Sequence, residues 1–308
     1  MSFAAKMRQV CKNCTESTIK TYLFQVRGLL KFAGQGGTEP KGHAWINDSL
    51  LKKMRKEGTL NQVKRNTIVA VKVLQALGVK GPKLKQWQEA MRASSDEYGR
   101  QRDKQKRTKR EADNWPEGGY KAMTTLARKL RAKIAHLFEE APSSISSHEL
   151  YEMQRWFVFL FYSKHALRGD LGDVRIERKG HNYIYRTGTG PWSLHVGVHK
   201  TAKSYGAIDI KLDKAVSDGL KLFLPYVRAK TDHGYLLSTR RDLRKLNRKD
   251  MMLMIRKTTS SHLGKNIGIQ LIRVMKTTDR LEAIDESTKL QREMGHDAGM
   301  QRRYVSRA

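Results

Sequence analysis

Apolar residues recur at intervals of three and four positions over the first part of the chain, the period of an amphipathic helix. Residues 16–35 show this pattern and predict a helix that ends at the pair Gly36-Gly37. Further helices are predicted from 47 to 58, from 59 to 78 and from 83 to 98. These segments predict a small all-helical domain over residues 1–98.

The second part of the chain contains both the helical and the strand-like spacing of apolar residues. Residues 120–138 predict an amphipathic helix, and 148–167 contain the most apolar run, WFVFLFY, whose length favours a buried helix over a strand. Short segments rich in β-branched and aromatic residues then predict three strands at 181–186, 192–198 and 206–212. From 213 the pattern is helical again. The predicted fold is therefore mainly α with one small antiparallel β-sheet.

Between these two parts lies a strongly polar segment. Residues 99–111 read GRQRDKQKRTKRE and offer almost nothing to bury, so a linker is predicted over 99–113 and a second domain over 114–308. The run either keeps the chain soluble or follows a phosphate backbone. The candidates for backbone contact are Arg100, Arg102, Lys104, Lys106, Arg107, Lys109 and Arg110.

Charge narrows the choice of partner. The 308 residues include 61 Lys and Arg against 30 Asp and Glu, a formal net charge of +31. Self-repulsion of this size destabilises a compact chain unless a polyanion relieves it. An enzyme of small neutral metabolites is therefore disfavoured, and double-stranded DNA is the first candidate, although RNA also fits the charge. The sequence contains no apolar run long enough to span a bilayer, so we expect no membrane partner.

The two cysteines do not define a metal site. Cys11 and Cys14 have the spacing of a zinc-binding pair, but no second pair of ligands follows, and a structural zinc needs four. We interpret them as ordinary cysteines near a loose terminus, in a protein of a reducing, intracellular compartment. The sequence also lacks a Walker loop, a G-x-G-x-x-G motif and a paired-carboxylate motif.

A set of basic residues and a tyrosine remains as candidate chemistry. Arg168 follows the predicted buried helix in HALRGDL, and Lys200 and Lys203 lie in HKTAKSYG, between two predicted strands. Arg273 lies in IGIQLIRVMKTT, His296 in MGHDAG, and Tyr304 stands eight residues after that histidine. This ordered set resembles the tyrosine recombinase, or phage integrase, family. Residues 15–95 also resemble the family's helical core-binding domain, and the whole chain resembles a divergent member from a mobile element or large DNA virus.

The resemblance implies a site-specific recombinase that cuts and rejoins DNA through a 3′-phosphotyrosine intermediate. Arg168 and Arg273 would hold the scissile phosphate, and Lys200 or Lys203 would protonate the leaving 5′ oxygen; spacing does not decide between the two lysines. His296 would assist and Tyr304 would attack. The resemblance also implies no cofactor, a homotetramer on two DNA sites, and an intracellular, DNA-associated protein serving DNA integration.

The chemistry of these residue types fits that role. A planar guanidinium binds phosphate oxygens with two parallel hydrogen bonds, and a positioned lysine acts as a general acid. A tyrosine nucleophile stores the energy of the broken bond in a covalent link. Metal-free cleavage of a phosphodiester needs these three functions.

One position departs from the family pattern. The second arginine of the family usually follows a histidine by three positions, and Gln270 stands there in this chain. An alternative hypothesis is therefore a DNA-binding protein of the same fold that has lost catalysis. A second alternative is a type IB topoisomerase, although the short distance from His296 to Tyr304 and the tyrosine's place near the end resemble a recombinase more closely.

Overall fold

The computed structural model describes residues 1–104, 106–199, 201–202, 206–281 and residue 288. The chain divides into two compact units, Met1–Arg107 and Thr108–Ala308. The boundary between them lies inside the segment for which the sequence predicted a linker. Overall the protein is mainly α with one three-stranded antiparallel sheet, which confirms the predicted fold class.

The first unit is helical. Its helices are α1 (Phe3–Val10), α2 (Glu16–Phe32), α3 (Asp48–Glu57), α4 (Leu60–Ala76) and α5 (Pro82–Asp103). Local sequence sets their starts: Thr15 and Asn47 accept from the backbone N–H groups of Thr18 and Leu50. Side-chain caps of this kind satisfy donors that the first turn of a helix leaves free.

The core of this unit forms around α4. Buried apolar side chains of α2, α4 and α5 meet there, including Val26, Leu29, Leu30, Val69, Val73, Leu74 and Trp87. The hydroxyls of Thr67 on α4 and Ser94 on α5 lie 2.9 Å apart within it. This buried polar pair links the two helices, and each hydroxyl also lies within donating distance of a backbone carbonyl of its own helix, that of Lys64 or Met91.

Three features differ from the sequence-based expectation. The amino terminus is not loose, because α1 forms and buries Met7 and Cys11 at 0% and 6% exposure. Helix α5 continues to Asp103, into the segment predicted as a linker, and a short helix, α6, covers Lys109–Asp113. The polar composition of this segment indicated that it contributes no residues to a core. Charged residues that are good helix formers nevertheless form solvent-exposed helices.

The second unit combines helices and the sheet. After α6 come α7 (Lys121–Lys133), a 3₁₀ helix (Ala135–Phe138), α8 (Ser147–Lys164) and a 3₁₀ turn (Gly169–Asp173). The strands are β1 (Asn182–Arg186), β2 (Trp192–Val196) and β3 (Ile208–Lys211). The last helices are α9 (Lys214–Lys230), α10 (Arg248–Leu263) and α11 (Ile269–Asp279).

Helix α8 is the centre of this unit, as its apolar run predicted. Its buried residues lie on all sides of the helix, which is typical of a helix enclosed by its neighbours. Phe157 stacks on Phe223 of α9 with ring centroids 5.3 Å apart, and Trp156 meets the edge of Phe138. The amide of Gln154 exchanges two hydrogen bonds with the backbone of Ser238, so α8 also anchors the segment between α9 and α10.

The sheet has the order β1-β2-β3 with antiparallel pairing throughout. Ile184 pairs with Leu194, and these side chains face the core. The alternate residues Tyr183, His195 and Asp209 form a row across the outer face, so the sheet shows the period of two that the sequence predicted. Residues 197–207 connect β2 to β3 and include both candidate lysines.

Candidate active site and nucleic-acid surfaces

Arg168 lies where α8 gives way to the 3₁₀ turn Gly169–Asp173. It has extended backbone dihedrals and precedes the first residue of that turn. The hydroxyl of Tyr162, a fully buried residue of α8, donates a 3.0 Å hydrogen bond to the Arg168 carbonyl oxygen. The buried helix therefore fixes the backbone from which the guanidinium extends.

The side chain of Arg168 has an unused donor. Its Nη1 atom is buried and has no hydrogen-bond partner among the residues that the structure describes. Leaving a buried donor unpaired costs about 1–3 kcal/mol, and more when the group is charged. An anion that accepts from this nitrogen would remove that cost.

Two glycines let α10 approach the 3₁₀ turn. A Cβ atom at Gly172 would lie 3.1 Å from the Cα atom of Arg248, and one at Gly169 would lie 2.6 Å from its Nε atom. Arg248 therefore packs directly across the turn. Its Nη1 atom lies 3.6 Å from Oδ1 of Asp170, which is only 7% exposed.

Arg273 lies on the second turn of α11, one turn beyond Gln270. Its Nη1 atom donates to Oε1 of Gln270 at 3.2 Å. The Gln270 amide thus restrains the guanidinium within the same helix. Arg273 is half-buried, whereas Gln270 is exposed.

Helix α11 meets the end of α8, because Nζ of Lys276, about one turn after Arg273, donates to the carbonyl oxygen of Lys164. Burial raises the pKa of Tyr162 above its ordinary value, and the charge of Asp170 raises it further. The positive charges of Arg248 and Arg273 act on the same hydroxyl and lower its pKa. The structure thus brings Arg168 and Arg273 to one region around the end of α8, and adds Arg248, which the sequence did not single out.

Four of the candidate residues cannot be placed. Lys200, Lys203, His296 and Tyr304 lie outside the residues that the structure describes. Their roles stay predictions from the sequence.

The basic residues of the predicted linker are all exposed. Arg100 and Arg102 lie in the last turns of α5, Lys104 caps that helix, and Lys109 and Arg110 belong to α6. Lys106 and Arg107 lie between the two helices. The end of α5, the start of α6 and the residues between them therefore carry this charge. The arrangement agrees both with a segment that keeps the chain soluble and with one that follows a phosphate backbone.

A groove between α2 and α4 offers a second candidate surface, in the first unit. Its volume is about 280 Å³. It is lined by Thr18, Thr21, Tyr22, Gln25, Asn61, Lys64, Arg65 and Ile68. Hydroxyl, amide and cationic side chains of this kind supply most contacts to phosphate and base edges in protein–DNA complexes. No sequence pattern predicted this groove, because its polar residues come from two helices and belong to no motif.

Two negative findings apply to the described part of the chain. No helix in it is long and apolar enough to cross a bilayer. No group of three or more His, Cys, Asp or Glu side chains within the described ranges is placed to hold a metal ion. Cys11 and Cys14 are free thiols, and burial raises the pKa of Cys11.

Comparisons with known proteins give little similarity. No protein-family model matches the chain, and no curated protein matches it. Among solved structures, it is similar to the crystal structure of XerA recombinase, with 13% sequence identity and a TM-score of 0.35. That match covers 96% of this chain and 89% of the other. A likeness at this level establishes neither a shared fold nor a shared activity.

Proposed function

We propose that the protein is a tyrosine-type, site-specific DNA recombinase that cuts and rejoins duplex DNA through a 3′-phosphotyrosine link. The observation that carries the proposal is the buried Nη1 of Arg168, which lacks a partner among the described residues. Arg273 supports it, because the helix that carries it meets the end of α8, where the Tyr162 hydroxyl holds the Arg168 backbone. Two guanidinium groups in one region can stabilise the charge of a phosphoryl transition state.

The proposed reaction is an in-line substitution at phosphorus. The Tyr304 oxygen attacks and loses its proton, a bond forms between that oxygen and phosphorus, and the bond to the 5′ oxygen breaks. Lys200 or Lys203 donates a proton to the leaving 5′ oxygen, and His296 hydrogen-bonds a non-bridging oxygen or accepts the tyrosine proton. Attack by another 5′ hydroxyl reverses these steps and rejoins the strand, so no energy source is consumed.

The first unit has the proposed role of a DNA-binding domain. The groove between α2 and α4 presents Lys64 and Arg65 together with five hydroxyl or amide side chains. The basic residues of 99–113 add backbone contacts. Strand exchange would use a homotetramer on two DNA sites, and the protein would be DNA-associated in its cell.

A second candidate function is DNA binding without catalysis. Gln270 favours it, because an amide cannot shuttle a proton at the position where the family has a histidine. Against it, Gln270 Oε1 still accepts from Arg273 and so retains the positioning contact. The two hypotheses differ in whether a covalent protein–DNA link forms.

A library of nicked duplexes of random sequence tests the proposal, because a nick traps a covalent link once the short strand diffuses away. We expect the wild-type protein to give a DNA complex that survives SDS, and Arg168→Gln to reduce its yield by about 10²-fold or more, the usual loss of one oxyanion donor. Absence of any such complex in the wild type, with duplex binding retained, would support DNA binding without catalysis.

Arg128→Gln is the matched control, since it removes one exposed positive charge from α7 of the same unit. Its yield of covalent complex should stay near the wild-type level. Relaxation of a supercoiled plasmid of arbitrary sequence by the monomer would instead favour a type IB topoisomerase.

A further inference from the structure

A cavity of about 460 Å³ lies in the second unit, on the side of the 3₁₀ turn that carries Asp170 and Asp173. Three cations line it: Arg175, Lys245 and Arg248. His199, which directly precedes Lys200, lines it as well. The cavity therefore extends from the turn beside Arg168 to the start of the lysine-bearing connection between β2 and β3.

Two of the three cations are paired with carboxylates. Lys245 Nζ lies 2.7 Å from Oδ1 of Asp173, and Arg248 Nη1 lies 3.6 Å from Oδ1 of Asp170. Arg175 has no carboxylate within ion-pair distance among the described residues. The cavity thus carries one uncompensated positive charge, and it belongs to Arg175.

The side chain of Arg175 occupies a formed slot. Its Cζ atom lies 4.6 Å from the centroid of the Tyr235 ring. A Cβ atom at Gly234 would lie 3.2 Å from its Nη2 atom, and one at Gly180 would lie 3.4 Å from its Cδ atom. Both glycines have positive φ, which larger residues adopt only with strain. The slot therefore depends on glycine at two positions.

The backbone of Arg175 is fixed on both sides. Its N–H donates to the Asn182 carbonyl at 2.9 Å, and its own carbonyl accepts from Ile184 at 2.9 Å. Across the other side, the Leu236 N–H donates to the Val174 carbonyl at 2.9 Å. The guanidinium is thus attached to a rigid, strand-like segment, which lowers the entropy cost of binding a ligand.

One atom of Arg175 lacks a partner in this arrangement. Its Nε atom is buried and makes no hydrogen bond within the described part of the chain. Contact with the Tyr235 ring stabilises the charge but does not satisfy the N–H. A half-buried guanidinium that has no ion-pair partner among the described residues and one buried N–H without an acceptor is the arrangement that an oxyanion completes.

We propose that this cavity is a second phosphate site. It holds a DNA backbone phosphate next to the one bound by Arg168, and Arg175 is the residue that binds it. The inference rests on the proposed function. Asp170 and Arg248 support it, since both line the cavity, Asp170 belongs to the turn that follows Arg168, and Arg248 packs across that turn from α10. Phosphates recur at short, regular intervals along a strand, so a surface that binds one of them also meets its neighbours.

The first experiment compares Arg175→Gln with the control Arg128→Gln in the full chain. Binding of a fluorescent duplex of arbitrary sequence is measured over a series of salt concentrations. One lost charge-assisted hydrogen bond should weaken binding about tenfold. The slope of log K against log salt should fall by about 0.9, the value for one phosphate contact. Equal affinity and slope in the two variants would overturn the proposal.

A second measurement avoids the risk that Arg175→Gln fails to fold. In the wild-type protein, the ¹⁵Nε–¹Hε signal of Arg175, assigned by its loss in Arg175→Lys, should shift when the duplex is added. A shift with AMP or inorganic phosphate but not with the duplex would identify a free-phosphate site and overturn the assignment to DNA. An unmoved signal with all three probes would overturn the site altogether.

Failure of this inference can be separated from failure of the proposed function. If wild type forms the covalent complex on nicked duplexes while Arg175→Gln matches Arg128→Gln in binding, the second phosphate site alone is wrong. If no covalent complex forms but the Arg175 signal shifts with the duplex, the site stands as part of a DNA-binding surface and the catalytic proposal fails.

Discussion

Arg273 Nη1 donates a 3.2 Å hydrogen bond to Oε1 of Gln270, one helical turn earlier on α11. The contact joins the arginine of the proposed phosphate site to Gln270, which stands where the recombinases that the chain resembles usually carry a histidine. It gives Gln270 a positioning role that does not require a proton to be transferred.

Removal of this contact should lower the rate of covalent complex formation. In Gln270→Ala the Arg273 guanidinium loses its restraint, and a misplaced phosphate donor costs between about tenfold and a hundredfold in rate. Gln270→His should keep a hydrogen-bond acceptor beside Arg273 and retain most of the wild-type rate. Rates on a trapped, nicked duplex measure the effect, and equal rates for Gln270→Ala and wild type would remove the positioning role.

The bond from Tyr162 to the Arg168 carbonyl gives a second prediction. Tyr162→Phe leaves that carbonyl without its buried donor, which should cost about 1 kcal/mol of unfolding free energy. The covalent complex should form more slowly in addition, because the Arg168 backbone is no longer fixed.

Tyr120→Phe is a matched control for this variant. It removes a similar buried hydroxyl, which donates to the Tyr162 carbonyl at 2.9 Å rather than to Arg168. Urea unfolding should show comparable losses for the two variants, while only Tyr162→Phe lowers the cleavage rate. Equal rates in both would mean that the Tyr162 bond serves stability alone.

If the groove between α2 and α4 binds DNA, removal of its positive charges should weaken duplex binding. Lys64 and Arg65 line it, so Lys64→Gln combined with Arg65→Gln should reduce the salt slope of duplex binding by about 1.8 if both contact phosphates. Lys52→Gln, an exposed change on α3, is the control for charge alone. A double variant whose slope equals that of the control would place DNA elsewhere on this unit.

Stability should depend on pH through His165. Burial lowers its pKa, as do the nearby charges of Lys276 and Lys164, while Asp213 raises it. Its Nε2 atom accepts a 3.0 Å hydrogen bond from the Asp213 N–H, which requires the neutral ring. Because the unfolded chain binds the proton more readily, stability is full above the ordinary histidine pKa near 6.5 and falls as the pH drops below it.

Chemical unfolding between about pH 7.5 and 5.5 measures this contribution. His165→Gln should lose less stability than wild type across that interval, because its amide oxygen accepts the same hydrogen bond without titrating. His233 and His262 also have lowered pKa values and contribute equally to both proteins, so the difference isolates His165. Identical pH profiles would show that folding leaves the pKa of His165 unchanged, contrary to this account.

The sequence predicted much of the fold for identifiable reasons. Helix α8 was predictable because a run of seven large apolar residues needs burial, and the sheet was predictable from its alternation and turns. The first helix, α1, was not predicted because its eight residues make only about two turns, too few to show a clear helical period. The end of α5 was missed because a polar sequence tells little about whether an exposed helix continues.

The candidate site was predictable only in part. Arg168 and Arg273 lie in motifs whose order along the chain is recognisable, and the elements that carry them meet at the end of α8. Arg248 lies in a run of basic residues where nothing in the sequence distinguishes one cation from the next. Its importance depends on Gly169 and Gly172, which allow α10 to approach the turn, and such close packing is a property of tertiary structure.

The most direct test of the central claim is the identity of the residue that becomes linked to DNA. Wild-type protein is trapped on the nicked duplex library, digested with protease and nuclease, and the nucleotide-bearing peptide is identified by mass spectrometry. The account predicts a 3′-nucleotide on Tyr304, and no adduct from Tyr304→Phe under conditions where that variant binds duplex DNA normally. A nucleotide on any other residue, or wild-type levels of adduct from Tyr304→Phe, would contradict it.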